Sequence, residues 1–239
     1  LDEATIQSFI DSNDNLKRYE FDLKLINEKR PHILDANTEK LLTEAQDALS
    51  TPSNVYGMFS NADLEFEDAI DKDGQAYPLT QGTFIKYLES DDRELRASAF
   101  RNVYKAYGAH NNTLGATLAG EVKKNVFNAR THHYRSARER ALSNNHIPEA
   151  VYDNLIKTVH KYLPLLHRYT KLRQELLGLD DLKMYDLYTP LVKDVKFEMP
   201  YEEAKSWMLK ALEPMGEEYL NVVKEGLDNR WVDVYENKG

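Results

Sequence analysis

Between residues 90 and 134 two apolar runs at helical spacing follow each other across one short break, a pattern suited to a pair of long helices. Asp91 followed by Glu94 has the spacing of a reciprocal helix cap, with Ser90 an alternative start. Leu95, Phe100, Val103, Tyr104 and Tyr107 then recur on the helical period, with charged Arg96, Arg101 and Lys105 between them. Gly108 stops that run, and Asn111-Asn112-Thr113 offers a fresh cap. In the second run Leu118, Val122, Val126 and Ala129 share one side, while Ala116, Ala119 and Gly120 are small enough for a neighbouring backbone to approach closely. Two such helices in succession make a hairpin, and a hairpin can organise a bundle.

The remaining segments are mostly helical too. Ile6, Phe9 and Ile10 mark a short first helix; Leu16, Tyr19, Leu23 and Ile26 mark a second that ends before Pro31. Asn37 or Thr38 caps a third, and Ser50-Thr51-Pro52 opens a fourth with proline in the first turn. Only 64–78 changes period: Leu64 and Phe66 alternate with Glu65 and Glu67, Asp73-Gly74 signals a turn, and Tyr77 closes the return of a short β-hairpin. Further helices are expected at 136–142 and from Pro148 onward, with Pro164 interrupting the run and a separate helix from Leu165 to the stop at Gly178. After an irregular stretch over 180–199, two more fall near 201–212 and 214–227, and Trp231, Val232, Val234 and Tyr235 read as the start of a strand. The expected fold class is mostly α, a helical bundle with one small β-hairpin and a C-terminal strand start. Its expected division is an N-terminal helical segment with a hairpin strand, 1–70, and a helical body, 71–239.

Charge and cysteine usage exclude several functions. A net charge of −9 with lysine and arginine spread along the chain offers no concentrated basic surface, so no nucleic-acid partner is expected. Cysteine is absent, which removes disulfides and thiolate metal sites and fits a reducing, cytoplasmic setting. No apolar run approaches the ~20 residues that span a bilayer, and no membrane partner is expected. Leu1 is not an initiator methionine and Asn237-Lys238-Gly239 does not resemble a finished end, so a fragment is expected.

Catalytic groups are hard to assemble from these residues. The seven histidines are His32, His110, His132, His133, His146, His160 and His167, and none stands in an H-E-x-x-H frame. His160 and His167 are two turns apart, roughly 10 Å along a straight helix, which is too far for one shared ion; packing or surface roles are expected for all seven. Glu65, Glu67, Asp68, Asp71 and Asp73 form the densest acidic group, read first as a charged strand edge that resists edge pairing and alternatively as a hairpin that faces a cleft and repels acidic peptides. Tyr185, Tyr188, Tyr201 and Tyr219 could line a peptide-binding surface or serve as half-buried packing residues. No catalytic residue and no metal ligand is assigned, and the substrate-binding residues are unknown.

Several local strings nonetheless resemble the oligoendopeptidase F family. They include Ser90-Asp91-Asp92-Arg93, Ala99-Phe100, Asn112-Thr113 and Val122-Lys123-Lys124-Asn125-Val126-Phe127. Tyr134, Ser136-Ala137, Glu139, Ala141-Leu142, Leu166-His167-Arg168-Tyr169, Leu172-Arg173 and Leu177-Gly178-Leu179 continue the match. So do Tyr185-Asp186-Leu187-Tyr188, Pro190-Leu191-Val192 and the whole of 230–239. The resemblance implies a mostly helical, cytoplasmic zinc peptidase that cleaves short peptides inside a deep channel. It further implies that an H-E-x-x-H helix and a distal Glu hold zinc, with the motif Glu activating water. No position here matches those residues. The expected function is therefore scaffold and channel wall of a metalloendopeptidase, inactive by itself, with short peptides and the remainder of the peptidase chain as partners. The competing reading is a free-standing α-helical peptide- or protein-binding module; an H-E-x-x-H in the coding sequence past Gly239 would decide for the peptidase.

Overall fold

The computed structural model describes residues 2–192 and 199–234. Among them the helices are α1 (Glu3–Ser12), α2 (Asp14–Lys17), α3 (Glu20–Lys29), α4 (Ala36–Leu49), α5 (Thr51–Met58), α6 (Gln81–Leu88), α7 (Arg93–Gly108), α8 (Asn111–Thr131), α9 (Ala137–Ser143), α10 (Glu149–Leu176), α11 (Tyr201–Ala211) and α12 (Glu217–Asp228). The one sheet pairs β1 (Ala69–Ile70) antiparallel with β2 (Ala76–Tyr77), in the register Ala69↔Tyr77 and Ile70↔Ala76. The fold is mostly α with a small hairpin, as expected. Two compact units each draw on two separate stretches: residues 1–64 with 107–167, and 65–106 with 168–239.

In the first unit α5 packs on α8, and Gly120 permits it: a Cβ built there would lie 3.0 Å from Pro52 Cγ. The small-residue position anticipated from the sequence is thus a real close approach. The apolar side expected on α8 is buried only at Ala129, whereas Leu118 and Val122 stand exposed. The expected Asn111-Asn112-Thr113 cap is not used, since α8 begins at Asn111 itself after His110, with no side-chain cap. His133, in the left-handed region at φ 60°, ends α8 instead of a glycine. The Tyr134 amide donates back to the Ala129 carbonyl across that turn.

The second unit holds most of the buried apolar side chains: Ala69, Leu79, Leu88, Leu95, Ala97, Ala99 and Val103. Asp92, one residue beyond the expected cap, starts α7; its Oδ1 accepts from the Glu94 and Leu95 amides at 2.9 and 3.2 Å. Its Oδ2 also takes the Lys72 amide, so the cap is shared with the hairpin and Asp91 has no such second partner to recruit it. The hairpin is shorter than its alternation suggests. Residues 64–68 form no strand because their backbone turns to α7: the Glu67 and Asp68 carbonyls accept from Asn102. Asp71, from the acidic group, accepts the Asp73 and Gln75 amides and the Tyr77 hydroxyl, and Gly74 at φ 83° makes the turn.

Two further expectations are corrected. Pro164 does not interrupt α10, which runs through it as one 28-residue helix. Proline forfeits one hydrogen bond there, whereas a break would forfeit several and require a second nucleation. The expected strand at Trp231 is not formed over 231–234. Instead the Trp231 amide donates to the Gly226 carbonyl at 3.1 Å and its ring folds onto α12. Tyr235, the last residue of that expected strand, lies outside the described residues. A Cβ on Gly226 would come within 2.8 Å of Trp231 Cε3, so Gly226→Ala is expected to dislodge the ring. Faster hydrogen exchange of the Trp231 amide would register that loss; an unchanged rate would contradict the contact.

Candidate functional site

The most heavily constrained group of polar side chains sits in the second unit, around Asp186. The residue belongs to a single 3-10 turn, Met184–Asp186, and is fully buried. A buried carboxylate needs compensating donors, and Asp186 has four. Arg93 grips it in two places, Nε to Oδ1 at 3.3 Å and Nη2 to Oδ2 at 3.0 Å. Arg96 Nη2 reaches Oδ1 at 2.8 Å, and the Lys183 amide donates to Oδ2 at 2.9 Å. Arg173, from the last turn of α10, donates to the Asp186 and Thr189 carbonyls and holds the following residues in place. Arg96 is 3% and Arg173 6% exposed.

Burial by itself pushes the Asp186 carboxyl up, but hydrogen bonds from Arg93, Arg96 and the Lys183 amide, with the Arg93 charge, outweigh it and hold it below the usual carboxylate range. The hydrogen bond to Asp186 likewise pushes Arg93 up. An ionised, enclosed carboxylate of this kind cannot take a proton at neutral pH and reaches no solvent. Arg96 Nε, Arg173 Nε and Thr189 Oγ1 are buried without a hydrogen-bond partner among the described residues. The cluster is a clamp. It fixes Tyr185, whose ring lies 5.9 Å edge-on from Phe100 and 5.6 Å beneath the Arg93 guanidinium.

Sequence reasoning missed this clamp. The sequence places Arg96 only as a charge between the apolar positions of its helix, and the structure buries it because Asp186, ninety residues away, comes to meet it. Arg93, Arg173 and Asp186 do fall in the strings shared with oligoendopeptidase F, which was the available signal.

Four histidines of the first unit, His32, His110, His132 and His146, make hydrogen bonds, ion pairs or ring contacts, while His133, His160 and His167 are exposed. His32 donates from Nδ1 to the His132 carbonyl at 2.8 Å and stacks on Tyr134 with ring centres 3.6 Å apart. His132 Nδ1 donates to the Asn128 carbonyl at 2.8 Å, and its Nε2 lies 4.0 Å from Glu39. His146 pairs with Glu28 at 2.9 Å, and His110 meets the Phe59 ring. A shallow cavity of about 270 Å³ lies between His32, Tyr134, His146, Glu28 and Lys29. Among the described residues, histidine, aspartate and glutamate nowhere gather in the threes that a metal ion needs. These side chains do not fit a zinc ion.

Comparison with known proteins supplies what the site does not. The profile described as Peptidase family M3 matches residues 86–239, and that described as Oligopeptidase F matches 1–66. Oligopeptidase PepF of Bacillus subtilis is 53% identical across all of this chain, which covers 36% of that protein. Group B oligopeptidase PepB of Streptococcus agalactiae is 43% identical, again over the whole chain and 40% of its own length. The crystal structure of oligoendopeptidase-F from Enterococcus faecium superposes with a TM-score of 0.74 at 40% identity, covering 95% of this chain and 43% of that one. The chain thus spans about two-fifths of the length of these relatives, and both the family profiles and the superposed fold say that it belongs to peptidase family M3, in the oligoendopeptidase F group.

Proposed function

We propose that this chain forms scaffold and channel wall of a zinc-dependent oligoendopeptidase that hydrolyses short peptides in the cytoplasm. One observation carries the reading: identity to oligopeptidase PepF is 53% along every residue of the chain, although the described residues gather no metal-binding group. Zinc and the water-activating acid would then come from residues other than these, and no step of the reaction is assigned here. The organisation we propose divides the sequence into an N-terminal segment, 1–70, and a helical body, 71–239. It draws support from the two family profiles, one ending at 66 and the other starting at 86. That no helix among the described residues is long and apolar enough to cross a membrane agrees with this assignment. Within it, the Asp186 clamp holds the 3-10 turn and Tyr185 rigid, as a channel wall requires.

The test uses residues 1–239 by themselves. Metal analysis after dialysis is expected to find no stoichiometric zinc, and quenched fluorescent short peptides are expected to stay intact. One tightly held zinc per chain, or hydrolysis that a chelator abolishes, would overturn the scaffold reading.

A further inference from the structure

α10 presents an apolar stripe that nothing in its unit covers. Val151, Leu155, Val159, Tyr162 and Leu166 fall within about 80° of one another on a helical wheel. Their exposures are 55, 60, 50, 52 and 55%. Asp153, Lys157 and Lys161 lie on the other side of the helix, so the sequence separates an apolar face from a charged one. The only buried residue of α10 is Arg173, in its last turn. A helix this long draws most of its stability from packing an apolar face, and beyond the Lys161 ammonium over the Tyr162 ring no packing partner covers this face among the described residues.

The size of the uncovered surface indicates what covers it. The chain exposes 18185 Å². A folded globular protein of 27.7 kDa exposes about 11,000 Å², and even two independent globules of half that mass would expose only about 13,300 Å² together. At least about 5,000 Å² is therefore in excess. A second copy of the chain is too small a remedy. A standard interface covers about 800 Å² on each partner, and large obligate ones reach about 2,500 Å². A polypeptide covering twice that on one chain must be intimately folded with it. The relatives contain such a polypeptide: roughly three-fifths of their length lies outside the segment matched here.

We infer that the α10 stripe formed by Val151, Leu155, Val159, Tyr162 and Leu166 is the docking face for the part of a family-length peptidase chain that these 239 residues do not include. The inference rests on the proposed function, and it assigns that intrachain contact to one face of one helix. Lys157 stays in solvent when the contact forms.

The test compares the free 239-residue chain with a chimera in which it replaces the matching segment of the Bacillus subtilis oligopeptidase PepF. Hydrogen exchange of the amides over 151–166 is followed by mass spectrometry. In the chimera it is expected to slow by on the order of 100-fold relative to the free chain. Leu155→Glu with Val159→Glu should remove that protection, whereas Lys157→Glu should leave it. Equal exchange in chimera and free chain overturns the inference, as does full protection in the free chain alone. Peptide hydrolysis by the chimera reports separately on the peptidase reading. A protected stripe in an inactive chimera keeps this interface and sinks that reading, and an active chimera with an unprotected stripe does the reverse.

Discussion

Asp186→Ala is expected to lower the free energy of unfolding by about 3–5 kcal/mol, read as a fall in the urea midpoint at pH 7. The reason is the guanidinium left behind more than the carboxylate removed. Arg96 is buried, and its Nη1 keeps the Ser90 and Asp91 carbonyls at 2.7 and 3.1 Å while Nη2 loses its partner and its counter-charge. Arg173 loses nothing directly, since it bonds to backbone carbonyls. Asp186→Leu combined with Arg96→Met should cost much less than Asp186→Ala, because the buried guanidinium goes with its carboxylate and the one left behind, Arg93, is 40% exposed and keeps the Asp181 carbonyl. Two variants of equal instability would mean that the packing of the turn, and not its charge, sets the loss.

The same clamp has a pH signature. The Asp186 carboxyl titrates lower in the folded chain than its unfolded value near ~3.9. Its contribution is therefore fully present above pH ~4 and is lost as pH falls through the lowered folded value. The stability gap between the unsubstituted chain and Asp186→Asn should stay level from neutral pH down to about 4 and close between there and the lowered folded value. A gap that closes already between pH 7 and 5 would contradict an ionised, arginine-bound carboxylate.

Leu88→Ala is expected to cost about 2–5 kcal/mol, and toward the upper end of that range. Leu88, 2% exposed, is the largest apolar side chain among the described residues to be fully enclosed. How much of the transfer loss is recovered depends on whether the surroundings can close on the vacated space. α6 is poorly placed to shift inward. A reciprocal cap between Thr80 and Thr83 fixes its start, and the Tyr87 hydroxyl donates to the Pro78 carbonyl at 2.8 Å beside Leu88. A loss under about 1 kcal/mol at unchanged denaturant slope would show that the helix does slide.

Elements whose cause is local were legible. α7 and α8 appear where the apolar period and Gly108 put them, and α9 starts at Ser136, whose hydroxyl accepts the Glu139 amide. α4 shows the limit: Asp35, not Asn37 or Thr38, is the cap, accepting both of their amides. Three cap-forming side chains within four residues compete on nearly equal local terms, and the chain path around them decides. Pro164 shows the opposite error. A strong local breaker was overridden because the helix on either side of it is long.

The candidate site divides along the same line. Periodicity and composition determined that this is a helical chain with one hairpin, without cysteine chemistry and without a histidine pair at metal spacing. Those properties depend on residues a few positions apart. Only the tertiary structure decided that Arg96 lies inside, that Asp186 is the carboxylate it needs, and that the apolar side of α10 is left uncovered. A charge on a helix reads as solvent-facing until a partner ninety residues away makes its burial affordable, and an apolar stripe reads as core until the folded chain shows nothing against it. Burial is a property of pairs of distant segments, and no local period encodes which segments meet.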